Sequence, residues 1–272
     1  MSLQEKANLG ASFKEYFEIV PALSEELKNE AYRIRHQVYC EDLNFESPRS
    51  NKFETDEYDT SALHLLMRSI KFDRFIGCAR IIRTKTNEPH SFLPFEKICA
   101  DTLDHSIINS IQLSRNKIAE VSRLAVIATF RRRKDEIKKA INISAEEFKR
   151  PINSHSRFPY IPLGLFIGTI ELARLNNLDF LFMLTEKRLA NHFNKLGAEI
   201  QFIGSPIEHR GIRIPSMVCI EKIIKNMRPI FHSLYQVISA DINKNMTHHA
   251  SIKNIRIKKE TIDKTQPEII IY

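Results

Sequence analysis

Apolar and polar positions follow two rhythms along the chain, one of period two and one of period three to four. "YFEIVPAL" (16–23) is a short apolar run that reads as a first strand ending at Pro21. Ser24 then stands where an N-cap belongs, and Glu25 and Glu26 suit the positive end of a helix dipole. Leu27, Ala31, Ile34 and Val38 follow at helical spacing, so this segment is an amphipathic helix carrying "YRIRHQVYCEDLNF". The acid-rich stretch 46–59, which ends in "ETDEYD", reads as a loop.

"LHLLMRSI" (63–70) and "RFIGCARII" (74–82) form an antiparallel hairpin with Gly77 inside its second strand. Residues 93–116 suit one or two short helices, and "IAEVSRLAVI" (118–127) is a central strand. The basic segment 130–158 follows. Beyond it come a helix (162–177), a strand (178–185), a helix (186–197) closed by Gly197, and strands at 198–204 and 213–223. A helix over about 224–240 and a basic tail end the chain. This order predicts an α+β protein built on one mixed sheet, with strand–helix–strand units in its second half. Residues 1–223 form the main domain, and 224–272 a C-terminal helix and tail belonging to it.

Composition narrows the classes. With 43% hydrophobic and 27% charged residues, the 272-residue chain can bury a sizeable core. No apolar run reaches the roughly 18–20 residues that cross a bilayer. The polar start lacks a signal-peptide pattern, and a cytoplasmic location is expected. Cys40, Cys78, Cys99 and Cys219 are widely spaced, and His248 and His249 have no cysteine at ligand spacing, so neither a disulfide framework nor a metal site is expected. The 41 basic and 33 acidic residues give a net charge of +8. Much of the excess lies in "RRRKDEIKKAINISAEEFKR" (131–150), which is either a solvated face or a docking surface for an acidic partner.

Two features resist a purely structural reading. "ETDEYD" (54–59) gathers four carboxylates in six positions, and "EVSRLAV" (120–126) puts Glu120 and Arg123 into a strand that otherwise looks buried. Taken in order, "YRIRHQVYCEDLNF", "ETDEYD", "GCARII" and "EVSRLAV" resemble the N-terminal half of the acyl-homoserine-lactone (autoinducer) synthases and the related N-acyl amino acid synthases. The resemblance covers about residues 30–127. "PIEHRGIRIPSMV" (206–218) and the C-terminal helix are more similar to the N-acyl amino acid synthases and to acyltransferases associated with exosortase (PEP-CTERM) systems.

The resemblance implies the Gcn5-related N-acetyltransferase (GNAT) fold, a central mixed sheet flanked by helices, here with a C-terminal helical extension. It places the family's helix arginine on Arg35, its aromatic positions on Tyr39 and Phe45, its acidic loop on Glu54, Asp56 and Asp59, and its strand arginine on Arg80. The family often has tryptophan at the position of Phe45, and this chain has no Trp. The family's acid–arginine pair falls on Glu120 and Arg123. These acids and arginines can lock into an ion-pair lattice, and Glu54 or Asp59 with Arg80 or Arg123 are the expected pairs. Asp56 and Glu120 have the better claim on an amine substrate, which arrives protonated and needs a carboxylate to hold it and a base to take its proton.

Aminolysis of an acyl thioester passes through an oxyanion, for which backbone amides near Leu124, Ala125 and Val126 are the candidates. Acetyltransferases of this fold that use coenzyme A have a glycine-rich pyrophosphate loop after the central strand, whereas this chain has "ATFRRRKDEIKK" (128–139), without glycine. That favours an acyl-carrier protein bearing the chain on phosphopantetheine over acyl-CoA, with Arg131, Arg132, Arg133, Lys134, Lys138 and Lys139 as its docking residues. No tightly bound cofactor is expected. Phe166, Phe180, Phe182 and Met183 either line an acyl slot or belong to the core. Gly164 and Gly168 allow close helix–sheet packing or a pantetheine arm.

The expected activity is transfer of a fatty acyl chain to an amino acid or similar amine. The alternative is a homoserine-lactone synthase acting on S-adenosylmethionine. A nucleic-acid-binding protein would explain the charge, but not "ETDEYD" or "EVSRLAV", and no helix-turn-helix, zinc or RNP-like signature supports it.

Overall fold

The computed structural model describes residues 8–84, 91–110, 113–131, 160–194 and 197–265. An eight-stranded sheet is built from β1 (Phe17–Pro21), β2 (Ala62–Ser69), β3 (Arg74–Arg83), β4 (Ile118–Val126), β5 (Phe180–Thr185), β6 (Gln201–Phe202), β7 (Ile207–Glu208) and β8 (Ile212–Cys219). The order is β1-β2-β3-β4-β5-β8-β6, with β7 paired to β8. β1 to β4 run antiparallel, β4 and β5 are parallel, and β5 and β8 are antiparallel. The sheet is therefore mixed, as the order of elements predicts.

Alternation along the strands divides the sheet into two faces. Leu65 and Met67 of β2 face α5 (Tyr160–Leu175), where a Cβ added to Gly164 would come within 2.8 Å of Met67 Cε and one added to Gly168 within 2.7 Å of Leu65 Cδ2. These glycines serve helix–sheet contact. α1 (Leu9–Tyr16) and α8 (Pro229–Thr265) cover the same face: Leu9 and Phe13 are fully buried, and a Cβ on Gly10 would meet the Ser233 carbonyl oxygen at 2.3 Å. The other face carries α2 (Glu25–Arg35), capped by Ser24 Oγ accepting from Leu27 N at 3.3 Å, and continued as a π-helical turn over His36–Asp42. Short helices α3 (Pro94–Ile98) and α4 (His105–Ser110) follow β3. α6 (Lys187–Asn194) links β5 to β6, and α7 (Ile220–Asn226) follows β8.

Several boundaries differ from the sequence expectation. α1 lies in the segment read only as polar, because Leu9 and Phe13 supply its buried stripe among exposed neighbours. The strand expected over 198–204 shrinks to Gln201–Phe202, since it pairs with β8 at only two positions. β8 stops at Cys219, and 220–226 is helical with Ile220 and Ile223 facing the core. α8 extends far past residue 240 and is pinned by the buried Glu171 of α5, whose carboxylate accepts from Tyr235 Oη and Ser239 Oγ at 2.7 Å each. Among the described residues no helix is long and apolar enough to cross a membrane, and no group of three or more His, Cys, Asp or Glu is placed to hold a metal.

Candidate active site

Six charged side chains join α2, the acidic loop, β3 and β4. Arg35 is fully buried; its Nε donates to Glu54 Oε2 at 2.5 Å, and its Nη1 and Nη2 donate to the two Asp59 oxygens at 2.6 and 3.0 Å. Arg80 reaches Asp59 at 2.9 Å and Asp56 at 2.6 Å, and its Nε donates to Ser122 Oγ at 3.0 Å. Arg123 holds Glu54 at 2.9 Å and lies 3.5 Å from Asp56. Asp56 N-caps the 3-10 turn Glu57–Ser61, and the Asp59 carboxylate accepts from the Asp56 backbone N–H at 2.7 Å. The three arginines and three acids therefore form one closed lattice.

Titration follows from this geometry. Burial opposes ionisation of Glu54, yet hydrogen bonds and charge from Arg123 and Arg35 outweigh it and hold its pKa at about 2. Asp59 is held well below the usual carboxylate range in the same way, with burial overcome by Arg35 and Arg80. His64, stacked edge-on against Tyr32, is pushed down to about 4 by burial, outweighing the nearby Asp59.

Arg123 owes its place to the backbone. Alternation along β4 would send it toward α5, opposite Ser122. Instead its φ is +52°, and the β3–β4 register shifts between Cys78 and Arg80. This bulge turns Arg123 onto the same face as Ser122, where its guanidinium also lies 5.4 Å from the Tyr39 ring centroid. Such a left-handed non-glycine residue costs about 1–2 kcal/mol, offset here by the lattice.

Parallel pairing of β4 with β5 runs from Ile118–Phe180 to Val121–Met183 and then ends. Beyond it the strands part, since β5 stays with β8 as far as Thr185 while β4 follows β3 to Val126. A cavity of about 350 Å³ occupies the opening. One side is lined by Asp56, Tyr58, Arg80 and Glu120, the other by Phe166, Thr169, Ile170 and Phe193. Glu120 is 5% exposed and accepts from the Phe95 backbone N–H at 2.7 Å. Burial pushes its carboxyl up to about 7, against the lowering effects of that hydrogen bond and of Arg80 and Arg123.

The residues anticipated from sequence thus fall into distinct places. Tyr39, Phe45, Asp56, Arg80, Glu120, Arg123 and Leu124 line the cavity. Arg35, Glu54 and Asp59 are buried behind its wall, where they brace the lattice. Ala125 and Val126 are buried in the core cluster. Tyr39 Oη donates to the Leu124 carbonyl at 3.3 Å. Phe166 and Met183 line the slot, whereas Phe182 stacks on Phe95 at 4.6 Å in a separate apolar cluster with Phe180 packed against it, because alternate residues of β5 face opposite ways.

Arg131 corrects the expected docking surface: its side chain is buried and paired with Asp42 of the π-helical turn. Arg132, Arg133, Lys134, Lys138 and Lys139 lie outside the described residues. The sequence reading missed Glu46, His209, Arg210 and Arg213. The "HRGIRIP" segment carries the last three to the cavity, and its paired arginines flanking a glycine turn were the available signal.

Comparison with known proteins agrees with this architecture. No curated protein matches the sequence. Residues 34–137 match the model of the acetyltransferase (GNAT) domain, a span that contains the whole lattice and Glu120. Among solved structures, TofI in a ternary complex with an inhibitor and MTA is 16% identical with a TM-score of 0.53, covering 78% of this chain and 98% of TofI. MesI, a CoA-dependent acyl-homoserine lactone synthase, is 15% identical with a TM-score of 0.50, covering 77% of this chain and 92% of MesI. FeeM, an N-acyl amino acid synthase from uncultured soil microbes, is 15% identical over 78% of this chain and 94% of its own, with a TM-score of 0.48. The chain has the GNAT fold, and its residues 34–137 match the acetyltransferase (GNAT) domain, which supports an acyltransferase enzyme.

Proposed function

We propose that this protein transfers a fatty acyl chain from a thioester to the amino group of an amino acid or similar amine. The observation that carries this reading is the position of Glu120: a carboxyl that titrates near neutrality, on the wall of an opening between two parted parallel strands. The opening gives an extended acyl-thioester arm a path between β4 and β5, with the apolar side chains Phe166, Ile170 and Phe193 beyond it. The amine enters from the acidic side. Asp56 holds the ammonium, and Glu120 takes its proton through water once it is deprotonated.

The freed amine attacks the thioester carbonyl. The tetrahedral oxyanion is met by backbone N–H groups in the segment Leu124–Val126, on the strand edge that β5 no longer covers. Collapse breaks the C–S bond, and the thiolate takes the second proton released by the attacking nitrogen and leaves as the free thiol of its carrier. No covalent acyl-enzyme is required.

The donor is assigned to an acyl-carrier protein because the segment after β4 has no glycine-rich phosphate cradle. The basic run 132–139 is its proposed dock. Tyr39, Phe45 and Arg80 shape the acceptor end of the cavity, while Arg35, Glu54 and Asp59 act on the acceptor only by holding Arg80 and Arg123 in place. A cytoplasmic location suits such a donor, and the exosortase association rests on the sequence resemblance alone.

Comparative mass spectrometry on organic extracts tests this reading. A host expressing the wild type should accumulate long-chain N-acyl amino acids that are missing from a Glu120→Gln host. Acyl-homoserine lactones in their place would assign S-adenosylmethionine as acceptor, the activity of the kind MesI is named for. Identical extracts, together with no thiol release from acyl-carrier protein or acyl-CoA by the purified protein, would refute the acyl-transfer reading.

A further inference from the structure

The acceptor end of the cavity is not uniformly acidic. The turn between β7 and β8 and the start of β8 deliver His209, Arg210 and Arg213 to the cavity wall. The shape of the turn is fixed: Arg210 and Gly211 have φ of +55° and +96°, the His209 N–H donates to the Gly211 carbonyl at 3.0 Å, and Gly211 N–H donates to Glu208 Oε1 at 2.9 Å. Arg210 ion-pairs with Glu46, which itself lies 3.6 Å from Arg123. Arg213 Nη1 is 3.1 Å from Glu186 Oε1, and its Nη2 donates to the Arg210 carbonyl at 3.3 Å.

Glu54, Asp59 and Glu46 pair with the cavity-lining Arg123, Arg80 and Arg210, and Glu186 with Arg213. Arg80, Arg123, Arg210 and Arg213 line the cavity, against the carboxylates of Asp56 and Glu186 and the carboxyl of Glu120. Burial, then the charges of Arg210, Arg213 and Arg123, lower the pKa of His209, against the raising effect of Glu46. Arg210 and Arg213 have about a quarter of their side-chain surface exposed, 28% and 23%, so they remain reachable from the opening. A guanidinium presents five N–H donors in a fork that fits a carboxylate at two points, and the contacts named for Arg213 use only two of them.

We infer that the β7–β8 turn is a carboxylate-reading subsite, in which Arg210 and Arg213 select an acceptor whose amine is accompanied by a free carboxylate. The inference rests on the acyl-transfer reading and names the acceptor class within it. Asp56 then takes the ammonium and the turn takes the carboxylate, so a zwitterion spans the cavity mouth with both charges answered. An acceptor without the carboxylate leaves the arginines with only their internal partners and gains nothing from this side.

The test pairs each of the twenty proteinogenic amino acids with its own carboxamide. Binding to the purified full-length protein is read by calorimetry, and amide formation from an acyl-carrier-protein thioester by mass spectrometry. For the preferred amino acid, the wild type should bind the free acid roughly tenfold or more tighter than the carboxamide, a ratio set by loss of a charge-assisted pair. Arg213→Gln and Arg210→Gln should each collapse that ratio, chiefly by raising KM for the free acid. Arg213→Lys should restore it in part, since it keeps the charge but not the fork. Thermal unfolding of each variant shows whether it is folded.

Equal use of acid and carboxamide by the wild type would overturn the subsite while leaving acyl transfer standing. An unchanged ratio in both folded glutamine variants would do the same. Arginine-dependent binding of the free acid without any amide product would keep the subsite and refute the acyl-transfer reading. Absence of both binding and product would overturn both.

Discussion

Ser122 and Arg123 are neighbours in β4, yet both face the acidic loop: Ser122 Oγ accepts from Arg80 Nε at 3.0 Å, and Arg123 Nη2 donates to Glu54 Oε1 at 2.9 Å. The left-handed backbone at Arg123 makes this possible, and the lattice depends on it. Arg123→Ala would leave Glu54, 1% exposed, with Arg35 alone. Breaking a buried pair on one side typically costs about 3–5 kcal/mol, so the variant should lose roughly that much in urea unfolding. A loss under about 1 kcal/mol would mean that the lattice is dispensable to the fold.

Acid should undo the same lattice in a defined window. The folded pKa of Glu54, about 2, lies below its ordinary 4.5, and Asp59 is likewise depressed. Their stabilisation is therefore complete above the unfolded values and fades as pH falls from about 4.5 toward 2. Denaturant midpoints taken across this window should drop steeply in the wild type and less steeply in Glu54→Gln. Parallel slopes would contradict the assignment.

Glu120 carries the opposite sign. Its folded pKa, about 7, is above the ordinary 4.5, so its contribution is fully present at low pH and is lost as pH rises through 7. Glu120→Gln keeps an acceptor for the Phe95 N–H and removes the buried charge. The variant should gain stability relative to the wild type as pH moves from 5 to 8, read by thermal unfolding at each pH.

Much of this was legible in the sequence, for local reasons. The first strand, the Ser24 cap, the β2–β3 hairpin and the central strand follow from period and turn chemistry within a few residues. What was not legible depends on distant partners. Glu120 titrates near 7 because burial by segments distant in sequence outweighs the opposing hydrogen bond from the Phe95 N–H, 25 residues away. Arg123 changes face through one dihedral angle, which no alternation rule reports. Arg131 reads as one more cation in a basic run, and only the fold brings Asp42 to it.

Acyl-chain selection should respond to the stacked pair Phe166–Phe193, whose ring centroids are 3.9 Å apart at the apolar side of the cavity. Phe193→Leu trims the slot at a cost of about 1–2 kcal/mol in packing. The preferred acyl group should lengthen, measured by competition among thioesters of graded chain length. An unchanged preference would place the chain elsewhere.

The C-terminal helix is held by Glu171, fully buried and bonded to Tyr235, Ser239 and Asn243. Glu171→Ala leaves Tyr235 and Ser239 without this acceptor, at roughly 1–3 kcal/mol. Amide hydrogen exchange should speed up across residues 229–243 and stay unchanged in β2 and β3. Uniform exchange would show instead that the helix and the sheet unfold as one unit.

The most direct test of the central claim is the pH dependence of thiol release from an acyl thioester by the purified protein with its amine. A base at Glu120 predicts a rate that rises with pH through an apparent pKa near 7 and then levels. Glu120→Gln should lose about 100-fold or more and, with it, that rising limb. A folded Glu120→Gln variant that keeps the wild-type rate and profile would contradict the account.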